Sequence, residues 1–365
     1  MARLPLKLAK AYPWIKPPFI ISAPMRVMSS PSLAVAVSRA GGLGFIGPSP
    51  RTKDMQSDLE EAVALIKNNR ANSDPDRDLF HKHNLAPTIL PVGVGFQLWS
   101  DDLEAAVSAI KQYRPVAAWL FAPRNGQRDL DEWANRIRGV SAQTQIWVQI
   151  GTVAEARELV RPGSIAPDVV VVQGAEAGGH GRSHDGLGLI TLFPEIADVF
   201  AAGKDDIRLV AAGGIADGRG AAAALALGAD GVAMGTRFLA ATETRVSKGY
   251  QREIVRASDG AVSTTRTLLY NQLRGTVGWP EGYSPRTIIN RSYVELQAGK
   301  TFEELKMLHD EAVKTGDAAW GPEGRVATYA GAAVGLIHDV RDAGDIVRDT
   351  RTEVLRRFSS LQGGD

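Results

Sequence analysis

The chain has 365 residues, 44% hydrophobic and 23% charged, which is enough apolar side chain for a full core and excludes general disorder. Forty-two basic residues stand against forty-one acidic ones, and a net charge of +1 offers no field for nucleic acid or an anionic lipid surface. The absence of cysteine removes disulfides, thiolate nucleophiles, zinc–thiolate centres and iron–sulfur clusters.

Buried parallel strands read as short continuous apolar runs bounded by turn signals. In chain order such runs are Phe19–Ala23, Leu43–Ile46, Ile89–Phe96, Val116–Phe121, Gln145–Ile150, Asp168–Gln173, Leu209–Ala212 and Gly231–Gly235. Helical spacing fills the gaps. Ser32–Arg39 ends at Gly41-Gly42, Ser57–Asn68 starts on a serine cap, and Asp101–Gln112 repeats apolar residues every three to four positions. Pro194–Ala202 suits the sixth helix, and Asp217 caps an alanine-rich run that Gly228 stops. Alternating strands and helices predict an α/β protein with a TIM (β/α)8 barrel, a doubly wound sheet being the other arrangement considered.

The pattern breaks after the eighth strand. Residues 245–324 read as an inserted, mostly helical substrate or cap domain with no further strand of the buried type. From Val326 to Val340 apolar residues return at helical spacing, predicting the last barrel helix, and a polar amphipathic helix follows over Asp345–Phe358. The expected division is 1–244 for the barrel, 245–324 for the insertion and 325–365 for C-terminal helices completing the barrel. His81 and His83, flanking Lys82, read as polar linker, and no metal site is expected. No apolar run approaches the roughly 20 residues of a membrane span. Pro5, Lys7, Lys10, Pro13 and Pro17 break any signal segment, so a soluble cytoplasmic protein is expected.

Active sites of such barrels lie at the C-terminal strand ends, and phosphate often binds after strands seven and eight. Here those ends are Ala212-Gly213-Gly214, leading to Asp217, and Met234-Gly235-Thr236. Exposed backbone N–H groups near a helix start suit an anion, so a phosphorylated ligand is expected: a mononucleotide flavin, a sugar phosphate or a nucleoside monophosphate. Strand six runs into Gly174-Ala175-Glu176-Ala177-Gly178-Gly179-His180-Gly181, where glycines leave His180 no local packing surface and direct it to a cavity, as a candidate proton-transfer group. Ala23-Pro24-Met25 after strand one offers an apolar wall, and Gln97 and Gln149 offer amides at the ends of strands three and five. Within the insertion, Tyr270, Asn271, Arg274, Trp279 and Tyr283 are candidate mouth residues.

Together Ala23-Pro24-Met25, Ala40–Gly44, Gly174–His180, Ala211–Asp217 and Gly231–Leu239 resemble the nitronate monooxygenase family, formerly 2-nitropropane dioxygenases. The resemblance implies FMN in the barrel, with Ala23, Pro24 and Met25 along the ring and Gly178 and Gly179 approaching it by backbone. Ala212, Gly213, Gly214, Gly235 and Thr236 would hold the phosphate, and His180 matches the catalytic histidine. Gln149 stands where a lysine often contacts the flavin and Gln97 where threonine is common, so a neutral Gln149 would stabilise anionic reduced flavin less well. The implied reaction is oxidation of a small alkyl nitronate by dioxygen to a carbonyl compound and nitrite. His180 would either hold the anion when protonated or take the α-proton of a nitroalkane when neutral. Two alternatives are an FMN-dependent NAD(P)H oxidoreductase, such as an enoyl reductase, and a flavin-binding barrel without turnover. The oligomeric state is left open.

Overall fold

The structure is a computed structural model describing residues 6–68, 80, 89–202 and 207–361; His81 and His83 lie outside the described residues. In chain order the first nine strands are β1 (Phe19–Ser22), β2 (Leu43–Ile46), β3 (Leu90–Gln97), β4 (Pro115–Phe121), β5 (Gln145–Ile150), β6 (Val169–Gln173), β7 (Gly179–Arg182), β8 (Arg208–Ala212) and β9 (Gly231–Met234). All but β7 close into one parallel barrel in the order β1-β2-β3-β4-β5-β6-β8-β9. Closure comes through β1, whose Ile21 is in register with Leu43 of β2 and whose Phe19 is in register with Gly231 of β9. These are the eight strands expected from the sequence. Their continuous apolar runs suit strands with one face on the barrel interior and the other on the helices.

Aromatic side chains plug the bottom of the barrel. Phe45 packs against Trp119 and Trp147 at 5.2 and 5.1 Å between ring centroids, and Phe19 meets Trp147 at 6.2 Å. A Cβ on Gly93 would enter the Phe45 ring, so the small residue on β3 makes room for the large one on β2. Tyr12 closes the floor, its hydroxyl accepting from Trp147 Nε1 at 2.9 Å.

Several helix starts follow from side-chain caps. Ser30, Asp102 and Asp217 accept from first-turn amides of the helices Pro31–Arg39, Leu103–Tyr113 and Gly218–Ala226. Two expected starts are corrected. The helix Met55–Asn68 continues from a 3₁₀ turn at Thr52–Asp54, leaving Ser57 inside it. The sixth helix runs over Leu189–Ala201 with Pro194 in its interior. The carboxylate of Glu176 caps it by accepting from the Leu189 N–H, and the helix turn that loses a bond to Pro194 includes Ile190, which is 63% exposed.

The largest correction concerns Val326–Val340, which forms no α-helix; only a 3₁₀ turn at Ala332–Leu336 occurs there. Its backbone is engaged elsewhere. Thr328 C=O accepts from Ile288 N–H, while the N–H groups of Ala330 and Ala332 donate to Arg286 and Glu176 carbonyls, so the i→i−4 ladder cannot form. The apolar periodicity arises because Ala330, Val334 and Ile337 are buried against Ala216, Leu239 and Ile254. The last barrel helix is instead Ala343–Leu361, packed across the helices Pro31–Arg39 and Gly218–Ala226.

Residues 245–324 also contain strands not expected from the sequence. β10 (Thr264–Arg266) and β11 (Tyr283–Ile288) join β7 in an antiparallel sheet of order β10-β11-β7, with Pro285 opposite His180. The glycine-rich loop after β6 thus becomes an edge strand of this small sheet, and the sheet carries His180 over the barrel mouth. Among the described residues no helix is long and apolar enough to cross a membrane.

Candidate active site

A cavity of about 450 Å³ opens at the C-terminal ends of the barrel strands. His180 and every cofactor-contacting residue expected from the sequence lie on its wall. Ala23, Pro24 and Met25 follow β1, Gln97 ends β3, and Gln149 lies on β5. Gly178, Gly179 and His180 follow β6, Ala212, Gly213 and Gly214 come from the end of β8, and Gly235 and Thr236 follow β9.

One end of the cavity is rich in free backbone donors. The N–H groups of Gly213, Gly214 and Gly235 find no acceptor among the described residues. Gly213 and Gly214 have φ of 101° and 72°, a left-handed backbone that glycine adopts without strain. Asp217 occupies the N–H groups of Arg219 and Gly220, so the helix start supplies fewer donors than the sequence suggested and the anion site falls to the loop before it. Thr236 Oγ1 accepts from the Gly331 N–H at 2.9 Å, which leaves its own hydroxyl hydrogen to donate. Such a cluster suits phosphate.

Elsewhere on the wall the two amides have different states. Gln149 Oε1 accepts from Trp119 Nε1 at 2.9 Å, which fixes its amide and leaves Nε2 as the donor for a ligand. Gln97 Oε1 is buried and has no partner among the described residues. An available donor and an orphaned acceptor fit the edge of a heterocycle with both kinds of group.

His180 is half-buried and packs on a residue from the insertion. The Trp279 ring lies 3.6 Å from its own, centroid to centroid, with planes 3° from parallel, and Tyr329 approaches at 5.9 Å. Nε2 lies 3.0 Å from Nδ2 and 3.2 Å from Oδ1 of Asn271. Burial, opposed by the Asn271 hydrogen bond and reinforced by the charges of Arg266, Arg274 and Arg26, pulls the imidazole pKa down to about 3. The ring is neutral near pH 7, which favours proton acceptance over the alternative of an imidazolium holding an anion.

Positive charge is supplied by arginines instead. Arg26 and Arg274 line the cavity, and among the described residues no Asp or Glu does. Arg26 Nη2 donates to the Pro50 carbonyl while its buried Nε has no partner among the described residues. Arg274 Nη1 donates to the Tyr329 hydroxyl at 2.9 Å, with its guanidinium 5.3 Å from the centre of that ring. Deeper, Arg266 binds the carbonyls of Ala175 and Ala177 at 3.1 Å each, of Gly179 at 3.3 Å, and of Ser284. It therefore fastens the glycine-rich loop by its oxygens, although burial and the neighbouring Arg286 lower its pKa to about 10.

Among the mouth candidates, Asn271, Arg274 and Trp279 reach His180 or the cavity. Tyr270 does not: it is fully buried with Leu269, Leu273, Leu305 and Ala327, with its hydroxyl on Asn290 Oδ1 at 3.0 Å. Tyr283 stands behind Trp279 against Phe121 and Arg182. Gln173 also lines the cavity and was omitted, although its place at the end of β6 gives the same signal as Gln97 and Gln149. Arg26, Trp99 and Tyr329 were missed as well. Only Arg26, next to Met25, had a local cue.

A model of the family described as nitronate monooxygenase matches residues 9–349. The chain belongs to the nitronate monooxygenase family. It is 59% identical to nitronate monooxygenase npaC of Metarhizium robertsii, over 97% of this chain and 96% of that protein. It is 34% identical to a nitronate monooxygenase of Neurospora crassa, over 98% and 94%. FabK from Thermotoga maritima superposes with a TM-score of 0.70 at 25% identity, over 100% of this chain and 99% of that one. Membership in the nitronate monooxygenase family makes the protein an oxidoreductase and suggests a flavin cofactor, for which the free loop amides and the two glutamines provide matching donors and acceptors.

Proposed function

We propose that this protein oxidises small alkyl nitronates with dioxygen, giving a carbonyl compound and nitrite, with FMN as its bound flavin. The observation that carries the reading is His180, stacked under Trp279 with its pKa pulled well down by burial, on the wall of a cavity whose described lining includes Arg26 and Arg274 and no Asp or Glu. An anionic nitronate is drawn by Arg26 and Arg274, whereas a neutral nitroalkane meets an imidazole able to take its α-proton.

The lining fits FMN. The amides of Gly213, Gly214 and Gly235 and the Thr236 hydroxyl would hold its phosphate, Gln97 Oε1 and Gln149 Nε2 would meet polar ring atoms, and Ala23, Pro24 and Met25 would supply apolar wall. When bound, FMN supplies an electron acceptor for the nitronate and a path for those electrons to dioxygen. The protein orients the reactant beside His180, balances its charge with arginine and screens it from water with Trp279 and Tyr329.

The test is the visible spectrum of the purified protein followed by anaerobic titration with propionate 3-nitronate. A flavin spectrum that bleaches with nitronate is expected. A colourless protein that takes up no FMN overturns the reading, as does bleaching by NADPH without bleaching by nitronate, which would favour the reductase.

A further inference from the structure

We infer that Asn271 decides which nitrogen of His180 carries the proton, and that it makes Nδ1 the reactive one. This deepens, and rests on, the reading of His180 as the acceptor of an α-proton. Asn271 lies on the insertion helix Leu269–Arg274, is 4% exposed, and holds both amide atoms within hydrogen-bond reach of Nε2. Neither amide atom has another partner among the described residues, and Nδ1 of His180 has none either.

A neutral imidazole has a single N–H, so the bond at one nitrogen sets the state of the other. With Oδ1 turned to the ring, Asn271 accepts Nε2–H and leaves the Nδ1 lone pair free. Turned by half a rotation, Nδ2–H donates to Nε2, the ring proton sits on Nδ1, and no lone pair remains for a substrate. Proton abstraction requires the first arrangement. In that step the Cα–H bond of the nitroalkane breaks, its electron pair is delocalised into the nitro group to form the nitronate, and the proton passes to Nδ1. The resulting imidazolium keeps its Nε2–H on Asn271 Oδ1.

The groups around the ring make this bond decisive. Arg266 on β10, Arg274 at the end of the Asn271 helix and Arg26 after β1 all oppose a second proton, and burial under Trp279 does the same. Tyr329, whose ring lies 5.9 Å from His180, is itself held by Arg274. Of these influences the Asn271 hydrogen bond favours the protonated ring.

The experiment uses flavin-loaded protein labelled with ¹⁵N-histidine, with the His180 resonances identified among the six histidines by their loss in His180→Gln. Long-range ¹⁵N–¹H spectra near neutral pH should show the Nε2–H tautomer alone in the wild type and a mixture, or the Nδ1–H form, in Asn271→Leu. Turnover of a neutral nitroalkane should fall at least about tenfold more in that variant than turnover of the preformed nitronate. Asn271→Asp, a stronger acceptor, should keep the Nε2–H form, retain nitroalkane turnover and move the acid limb of its pH profile up by about one unit or more. An Nδ1–H tautomer in the wild type, or identical tautomers in wild type and Asn271→Leu, overturns the inference. Failure of the proposed function would look different: the wild type would turn over neither substrate, whatever the spectra showed.

Discussion

The indole of Trp279 lies flat on the imidazole of His180, ring centroids 3.6 Å apart, so no reactant can enter between them. Chemistry at His180 is confined to the ring edge and the opposite face. The same stack excludes water and so contributes to the low pKa. Trp279→Ala should let water reach the ring and raise its pKa from about 3 towards 6.5. The acid limb of the kcat/KM profile should move up by roughly one unit or more, while Trp279→Phe should leave it in place. A limb that stays put in the alanine variant would assign the shift to the arginines.

Replacing His180 itself separates the two forms of substrate. His180→Asn removes the proton acceptor without touching the free amides of Gly213, Gly214 and Gly235. Turnover of a neutral nitroalkane should fall by roughly 10²- to 10⁴-fold, the usual worth of a positioned base. Flavin content should be unchanged, and a preformed nitronate should suffer less because its proton is already gone. Undiminished nitroalkane turnover would remove His180 from the proton-transfer step.

The barrel was legible because parallel strands leave a local record: each is a short apolar run with a turn signal at its end, and the rule for barrel mouths then placed Gly213, Gly235 and His180 together. What surrounds His180 left no such record. The glycines beside it suggested a ring without packing, yet Trp279 covers it, Asn271 binds it and Arg266 fastens its loop, all from far along the chain. The false helix at Val326–Val340 has a related cause. Helical spacing reported which side chains are buried, but the backbone groups of Thr328, Ala330 and Ala332 were already committed to β11 and to Glu176.

Two glycines on the cavity wall should behave differently when enlarged. A Cβ at Gly178 would collide with the backbone of Ala330 and Gly331, which cannot withdraw because Ala332 N–H is bonded to the Glu176 carbonyl. A Cβ at Gly235 would find its nearest atoms, Met25 Sδ and Ala23 Cβ, at 3.7 and 3.9 Å, with φ at an ordinary −101°. Gly178→Ala should therefore lower the thermal midpoint of the flavin-free protein. Gly235→Val should leave that midpoint close to wild type and weaken FMN binding by at least about tenfold, a cost near 1.4 kcal/mol. Equal FMN affinity in wild type and Gly235→Val, measured by flavin fluorescence quenching, would move the phosphate away from this loop.

Gln149 tests how the barrel floor and the proposed flavin site are coupled. Gln149→Lys would place a cation beside the reduced ring and should raise the flavin midpoint potential, measured by dye-coupled reduction. It also deprives Trp119 Nε1 of its acceptor, and a buried N–H left unpaired costs about 1–3 kcal/mol. The single variant should thus combine a higher potential with a lower thermal midpoint. Adding Trp119→Phe removes the orphaned donor while keeping a ring against Phe45 and Trp147, so the double variant should recover stability and keep the raised potential. An unchanged potential in both variants would mean that Gln149 does not contact the flavin, because a charge at that position would act on a ring bound beside it whatever the state of Trp119.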